Sequence, residues 1–96
     1  MYCKTHTMNG HTVLACCDRE LIGRVLEQGE LTVEIRASFY KQDEIDAGLL
    51  KELIAQADSA NLFGKRSVAV AVKEGFIKQS NIIMIGGVPH AQIYKM

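Results

Sequence analysis

Residues 2–17 read YCKTHTMNGHTVLACC, and this stretch carries the clearest structural signal in the chain. Two runs of alternating polar and apolar side chains flank Asn9-Gly10, a dipeptide that favours the two-residue turn of a β-hairpin. With that turn, Met8 pairs with His11, and Cys3 lies directly opposite Cys16. The sequence therefore predicts an antiparallel hairpin as the first unit of a sheet.

The opposed cysteines of this hairpin leave one question open. Directly opposed residues have Cα atoms about 4.5 Å apart at a non-hydrogen-bonded position, just inside the disulfide range of about 4.4–6.8 Å. In a reducing cytoplasm, Cys3 and Cys16 are expected to remain thiols and to pack as small apolar side chains. Cys17 points to the opposite face, which disfavours a bridge to Cys16.

Three further elements are predicted between residues 18 and 58. Asp18 is expected to cap a short helical turn. The stretch GRVLEQGELTVEI (23–35) predicts a second hairpin that turns at Gln28-Gly29. From Asp43, the stretch DEIDAGLLKELIAQAD (43–58) has helical periodicity behind an Asp cap.

The stretch NLFGKRSVAVAVKEGF (61–76) is ambiguous, because its valines alternate as in a strand while KEG is typical of a helix end with Gly75 after it. A helix is favoured for residues 65–74. NIIMI (81–85) and PHAQIYK (89–95) predict two terminal strands. The order β-β-β-β-α-α-β-β predicts one α+β domain over residues 1–96, with two helices on a mostly antiparallel sheet.

Composition places the chain among ordinary globular proteins, with 96 residues, 48% of them hydrophobic and 23% charged. Uncharged apolar runs are far shorter than the roughly 20 residues of a membrane span. The first residues lack an apolar signal segment, and three cysteines do not form a secreted disulfide framework. A cytoplasmic protein without a membrane span is expected.

Charge is distributed unevenly, although the formal net charge is zero. Residues 1–59 hold six basic and ten acidic side chains, whereas residues 60–96 hold five basic side chains and only Glu74 as an acid. Charge asymmetry of this kind indicates an anionic partner or two halves that share one solvated surface. Lys65, Arg66 and Lys73 form the basic group on the predicted second helix, and the nearby Phe63 suits either RNA stacking or a core position.

The stretch IGGVPHAQI (85–93) predicts a tight reversal. Gly86-Gly87 suits a hairpin turn that needs positive φ, and Pro89 suits the start of a strand. A phosphate-binding loop would lead into a helix, so neither a P-loop nor a dinucleotide motif is indicated. His90 is expected to be displayed at the surface, where it could face a partner.

No catalytic residue, metal or cofactor is predicted. His6 and His11 fall on one face of the first hairpin, but a zinc site needs three or four ligands, and Cys17 lies at the far end from His11. His90 has no Ser or Cys near it in sequence, so a nucleophile–base pair would need an unpredicted tertiary contact.

The motifs CDRELIGR, GELTVEI, ANLFGKRSV and IGGVPHAQI together resemble a small archaeal family, domain of unknown function 424. The resemblance implies a compact archaeal cytoplasmic protein with no established reaction, and it suggests a link to translation. The family pattern matches Asn61, Leu62 and Gly64, and its terminal block matches 86, 87, 89 and 90. With the basic pair added, the candidate binding residues are Asn61, Gly64, Lys65, Arg66, Gly86, Gly87, Pro89 and His90.

Three functions are compatible with these observations. The favoured one is a non-catalytic module that binds RNA or an RNA-bound protein of the translation or RNA-processing machinery through the positive half. The second is a small enzyme or small-molecule-binding protein that uses His90 and Asn61 beside the glycine turn. The third is a protein-interaction domain that adds a surface or an edge strand to a larger complex. Binding is favoured over catalysis because only one plausible base can be named.

Overall fold

The computed structural model describes residues 1–95 and has the predicted α+β class. A six-stranded sheet carries α2 and α3 on one face, while a two-stranded hairpin and α1 cover part of the other. The strands are β1 Tyr2–Met8, β2 His11–Cys17, β3 Val25–Gln28, β4 Leu31–Glu34, β5 Asp43–Glu44, β6 Ser59–Phe63, β7 Ile83–Ile85 and β8 Val88–Tyr94. The helices are α1 Ala37–Tyr40, α2 Ala47–Gln56 and α3 Lys65–Lys73, with 3₁₀ turns at Arg19–Leu21 and Gln79–Asn81.

The first hairpin is confirmed in turn and register. Met8 pairs with His11 and Cys3 with Cys16, and both Asn9 and Gly10 have the positive φ values that this turn requires. Cys3, Cys16 and Cys17 are buried free thiols. Side chains of successive strand residues point to opposite faces of the sheet. Cys3 and Cys16 therefore belong to the hydrophobic core on one face, and Cys17 belongs to the core on the other.

The large sheet has the order β5-β1-β2-β6-β8-β7, in which only β2 and β6 are parallel. The mostly antiparallel sheet is confirmed, but the predicted element order is wrong in detail because it omits α1, β5 and β6. The sequence predicts no strand at β6, whose residues 61–63 belong to the stretch that is ambiguous between strand and helix. Its residues are covered on both sides, so they do not alternate between polar and apolar as a half-exposed strand does.

The second hairpin forms as predicted, but its turn is one residue later, and it makes a separate two-stranded sheet. Gln28 pairs with Leu31, so Gly29 and Glu30 form the turn rather than Gln28 and Gly29. Gly29 thereby occupies the first turn position with φ of 61°, a conformation that glycine adopts without strain.

Helices α2 and α3 pack side by side on the sheet. The N-cap of α2 is Asp46, whose carboxylate accepts a hydrogen bond from Leu49 N, so the predicted cap at Asp43 is wrong. Asp43 lies instead in the edge strand β5. The helical prediction for 65–74 is confirmed, with Gly75 following α3 at a φ of 78°.

None of the helices in the described part of the chain combines the length and apolar composition that crossing a membrane would require.

Candidate binding groove at the start of α3

Five of the eight candidate binding residues line one surface groove of about 420 Å³. These five come from the start of α3, from the turn before β8 and from the start of β8: Gly64, Lys65, Arg66, Gly87 and Pro89. Asp18, Glu20, Leu21, Arg24 and Val88 complete the lining. The structure thus brings together two motifs that are distant in sequence, and it adds residues of the loop between β2 and β3.

Asp18 fixes the start of α3 from beneath the groove. Its buried carboxylate accepts hydrogen bonds from Arg66 N at 2.9 Å, from Ser67 N at 2.8 Å and from Ser67 Oγ at 2.8 Å. It makes no side-chain bond to its own 3₁₀ turn, so the predicted local cap is wrong. The carboxylate meets the positive end of the α3 dipole and satisfies amides that open the helix.

Gly64 allows the carboxylate of Asp18 to come this close. A Cβ at position 64 would lie 2.3 Å from Asp18 Cγ, and the backbone has a φ of 111° that other residues rarely adopt. Gly64 N also donates to Pro89 O at 2.8 Å. The glycine is therefore required by the packing between β2, β8 and α3.

Three exposed cations surround the groove, namely Arg24, Lys65 and Arg66. The ion pairs found in residues 1–95 involve none of the three. Glu20 is the only exposed acid in the lining, since Asp18 is buried against α3. Sequence reasoning missed Arg24, because nothing in its local pattern indicates that it meets residues some forty positions later in the chain.

The Gly86-Gly87 turn between β7 and β8 is confirmed. Ile85 pairs with Val88, and the two glycines have φ values of 57° and 80°. Gly86 faces the second hairpin rather than the groove, because its N–H donates to Gln28 Oε1 at 3.1 Å. A Cβ at Gly86 would lie 3.1 Å from the backbone N and O of Glu27.

His90 is buried, so the prediction of a displayed imidazole is wrong. Only 7% of the residue is exposed, and its ring stacks on Phe63 with centroids 4.0 Å apart. Nδ1 lies 2.9 Å from the carbonyl oxygen of Leu62, which can only accept, so the ring carries its proton on Nδ1. Burial lowers the pKa of His90 below its usual value. The unpredicted strand β6 supplies both contacts.

Asn61 lies outside the groove, on the opposite sheet face from α2 and α3. Its side-chain oxygen accepts a hydrogen bond from Tyr40 Oη at 3.4 Å. It lines a separate hollow of about 280 Å³ with the exposed Tyr94 and Gln92. The candidate residues therefore do not form one site, because Asn61, Gly86 and His90 do not line the groove.

The two histidines of the first hairpin are held by different partners. His6 stacks on Phe39 and hydrogen bonds to its carbonyl oxygen at 2.9 Å, while His11 lies near Asp58 and Ser59. Within the described residues, no group of three or more His, Cys, Asp or Glu side chains has the spacing of metal ligands.

The fold and the groove define a small α+β domain with a mixed sheet and a basic surface groove. The chain belongs to the protein of unknown function family DUF424, whose model matches residues 6–96. A crystal structure of an uncharacterized conserved protein from Methanopyrus kandleri is similar, with 26% sequence identity and a TM-score of 0.81. That similarity covers 99% of this chain and 92% of the other. The comparison with curated proteins found no match.

Proposed function

We propose that the protein is a non-catalytic RNA-binding module of the translation or RNA-processing machinery, and that the groove at the start of α3 receives the phosphate backbone. The observation that carries the proposal is the convergence of Arg24, Lys65 and Arg66 on one groove. Side chains of this type, free of internal acidic partners, are the usual contacts to phosphate.

The buried carboxylate of Asp18 determines how a phosphate would be held. Because Asp18 already accepts hydrogen bonds from the amides of Arg66 and Ser67, those helix amides are not available to an external anion. Binding then depends on the exposed side chains, and each phosphate they neutralise releases counterions. For three contacts to a single strand, the slope of log affinity against log salt concentration is about −2.

The experiment is fluorescence anisotropy with a labelled single-stranded RNA of about twenty nucleotides, a length that exceeds the roughly 4–16 nucleotides of typical single-strand sites. The affinity is measured from low to physiological salt for the wild type, Arg24→Ala, Lys65→Ala and Arg66→Ala. Each substitution should make the salt slope less negative by about 0.7, because one phosphate contact is lost. Lys41→Ala is the matched control, because Lys41 is an exposed cation that does not line the groove.

The proposal is wrong if the wild type retains no RNA at low salt, or if Lys41→Ala reduces binding as much as the three groove substitutions do. The alternative of an enzyme centred on His90 gains no support from the geometry. The imidazole is buried, and Nδ1 is engaged with Leu62.

A further inference from the structure

A second, mostly apolar groove runs between α3 and the edge strand β7. It has a volume of about 330 Å³. Its walls come from Lys65, Val68, Ala69, Val72, Lys73, Gln79, Ile82, Met84 and Pro89. Lys65 and Lys73 are the only charged side chains among them, and neither belongs to an ion pair found in residues 1–95. The groove therefore suits an apolar side chain flanked by acids.

Strand β7 adds an unusual surface beside this groove. It lies at one end of the large sheet, next to β8, so its outer edge has no strand partner in the described part of the chain. Ile83 and Met84 are 53% and 51% exposed. An exposed apolar edge strand is a common site of protein association.

The β3–β4 hairpin has the complementary chemistry. Val25 and Leu31 are 54% and 47% exposed, so this hairpin and β7 together carry four of the eight exposed large hydrophobic residues within positions 1–95. Glu27 and Glu30 are exposed and are absent from the ion pairs found in residues 1–95, whereas Glu34 pairs with Arg36. In the part of the chain that the structure describes, strand β4 pairs with β3 alone.

We propose that the protein associates with a second copy of itself, and that the β3–β4 hairpin of one copy docks at the α3–β7 groove of the other. Leu31 enters the apolar groove beside Met84, and the hairpin carboxylates, chiefly Glu30, meet Lys65 and Lys73. The charge asymmetry between residues 1–59 and 60–96 favours this contact.

Charge also distinguishes this contact from a two-fold pairing of β7 with β7. In that arrangement, the lysines of one groove would approach the lysines of the other, which is repulsive. In the hairpin-to-groove contact, opposite charges meet. When two copies exchange hairpins reciprocally the result is a closed dimer, and otherwise the contact builds chains.

The test is sedimentation velocity of the full chain over about 5–500 μM, a range that brackets the micromolar affinity of a small interface. The wild type should associate, while Met84→Asp and Leu31→Asp should be monomeric. Lys73→Glu and Glu30→Lys should each weaken association about tenfold, which is about 1.4 kcal/mol. The double variant that carries both substitutions should associate as the wild type does, because opposite charges meet again. Lys41→Glu is the control and should associate normally. Circular dichroism and thermal denaturation establish that each variant is folded.

Three results would overturn the proposal. One is a monomeric wild type over the whole range. Another is association that Leu31→Asp does not change but Met84→Asp abolishes and Lys73→Glu strengthens, which would indicate β7–β7 pairing. The third is a double variant that associates no better than either single variant, which would show that Lys73 and Glu30 do not meet. Lys65 lines both grooves, so the tested substitutions are confined to residues outside the basic groove: Leu31, Glu30, Met84 and Lys73. Association is measured without RNA, so failure of this proposal leaves the proposed function untouched.

Discussion

Ser67, in the first turn of α3, donates two hydrogen bonds to Oδ1 of Asp18, which lies 49 residues earlier in the chain. The link joins the end of β2 to the start of α3, and both groups are buried. It therefore sets the floor of the basic groove, and it places Lys65 and Arg66 at the groove's rim.

Replacing Asp18 with alanine should destabilise the fold by about 3 kcal/mol, because the buried amide and hydroxyl of Ser67 and the partly buried amide of Arg66 lose a charged acceptor. Asp18→Asn should lose about half as much, since one oxygen still accepts. The measurement is urea denaturation at neutral pH. Asp46→Ala, which removes the exposed cap of α2, is the control and should cost about 1 kcal/mol. Equal losses for the two alanine variants would contradict the role assigned to Asp18.

Gly64→Ala should destabilise the protein by about 3 kcal/mol or more. The substitution combines a backbone with φ of 111° and ψ of 157°, which costs a residue with a side chain about 1–3 kcal/mol, with a clash against the carboxylate of Asp18, which costs about 1–3 kcal/mol. Gly75→Ala is the matched control, because Gly75 has a φ of 78° and open space around its Cβ position. It should cost only about 1–2 kcal/mol. Thermal denaturation compares the two, and equal shifts in Tm would show that the clash is relieved.

The local elements of this fold could be predicted because their signals lie within a few residues. Asn9-Gly10 and Gly86-Gly87 specify turns, and alternation assigns each strand residue to a face. The second hairpin shows the limit of this reasoning. The sequence predicts a turn at Gln28-Gly29, whereas the structure has the turn at Gly29-Glu30 with glycine in the first position. A shift of one residue changes every cross-strand pair of the hairpin.

Contacts between distant segments could not be predicted. Asp18 looks like a local cap, yet its carboxylate lies against α3, and no periodicity places Arg24 beside Lys65. His90 was assigned to the same face as Gln92 and Tyr94, and their shared alternation in β8 agrees with this. Whether His90 is exposed depends on the residues that cover this face. They are residues of β6, so the burial of His90 cannot be predicted without knowing where β6 lies.

The three cysteines should be unreactive in the native protein. The pKa of Cys3 is raised to about 11, and the pKa values of Cys16 and Cys17 are raised to about 12, mainly because the thiols are buried. At pH 8, thiolate is therefore scarce and inaccessible. Titration with Ellman's reagent should give little reaction in native buffer and three thiols in denaturant. Rapid modification of one thiol without denaturant would show that a cysteine is accessible.

The same raised values predict lower stability at alkaline pH. Since the thiols of the unfolded chain ionise near pH 9 and those of the folded chain only near pH 11–12, their contribution is complete below about pH 9 and is lost as the pH rises toward those values. The free energy of unfolding should fall between pH 8.5 and pH 10. Cys16→Ala should show a smaller fall than the wild type, whereas identical profiles would contradict the assignment.

His90 should make the fold sensitive to acid. Burial is the main cause that lowers the pKa of His90 below 6.5, while the hydrogen bond to Leu62 O opposes this shift. Because the unfolded chain then takes up the proton more readily, this contribution is present above about pH 6.5 and is lost as the pH falls through the lower folded value. His90→Phe retains a ring beside Phe63 but cannot titrate. Urea denaturation at pH 7.5 and pH 5 should show a smaller loss of stability for His90→Phe than for the wild type. Carboxylates titrate in both proteins, so the difference between the two losses isolates the imidazole, and equal losses would mean that the ring is protonated without cost in the folded state.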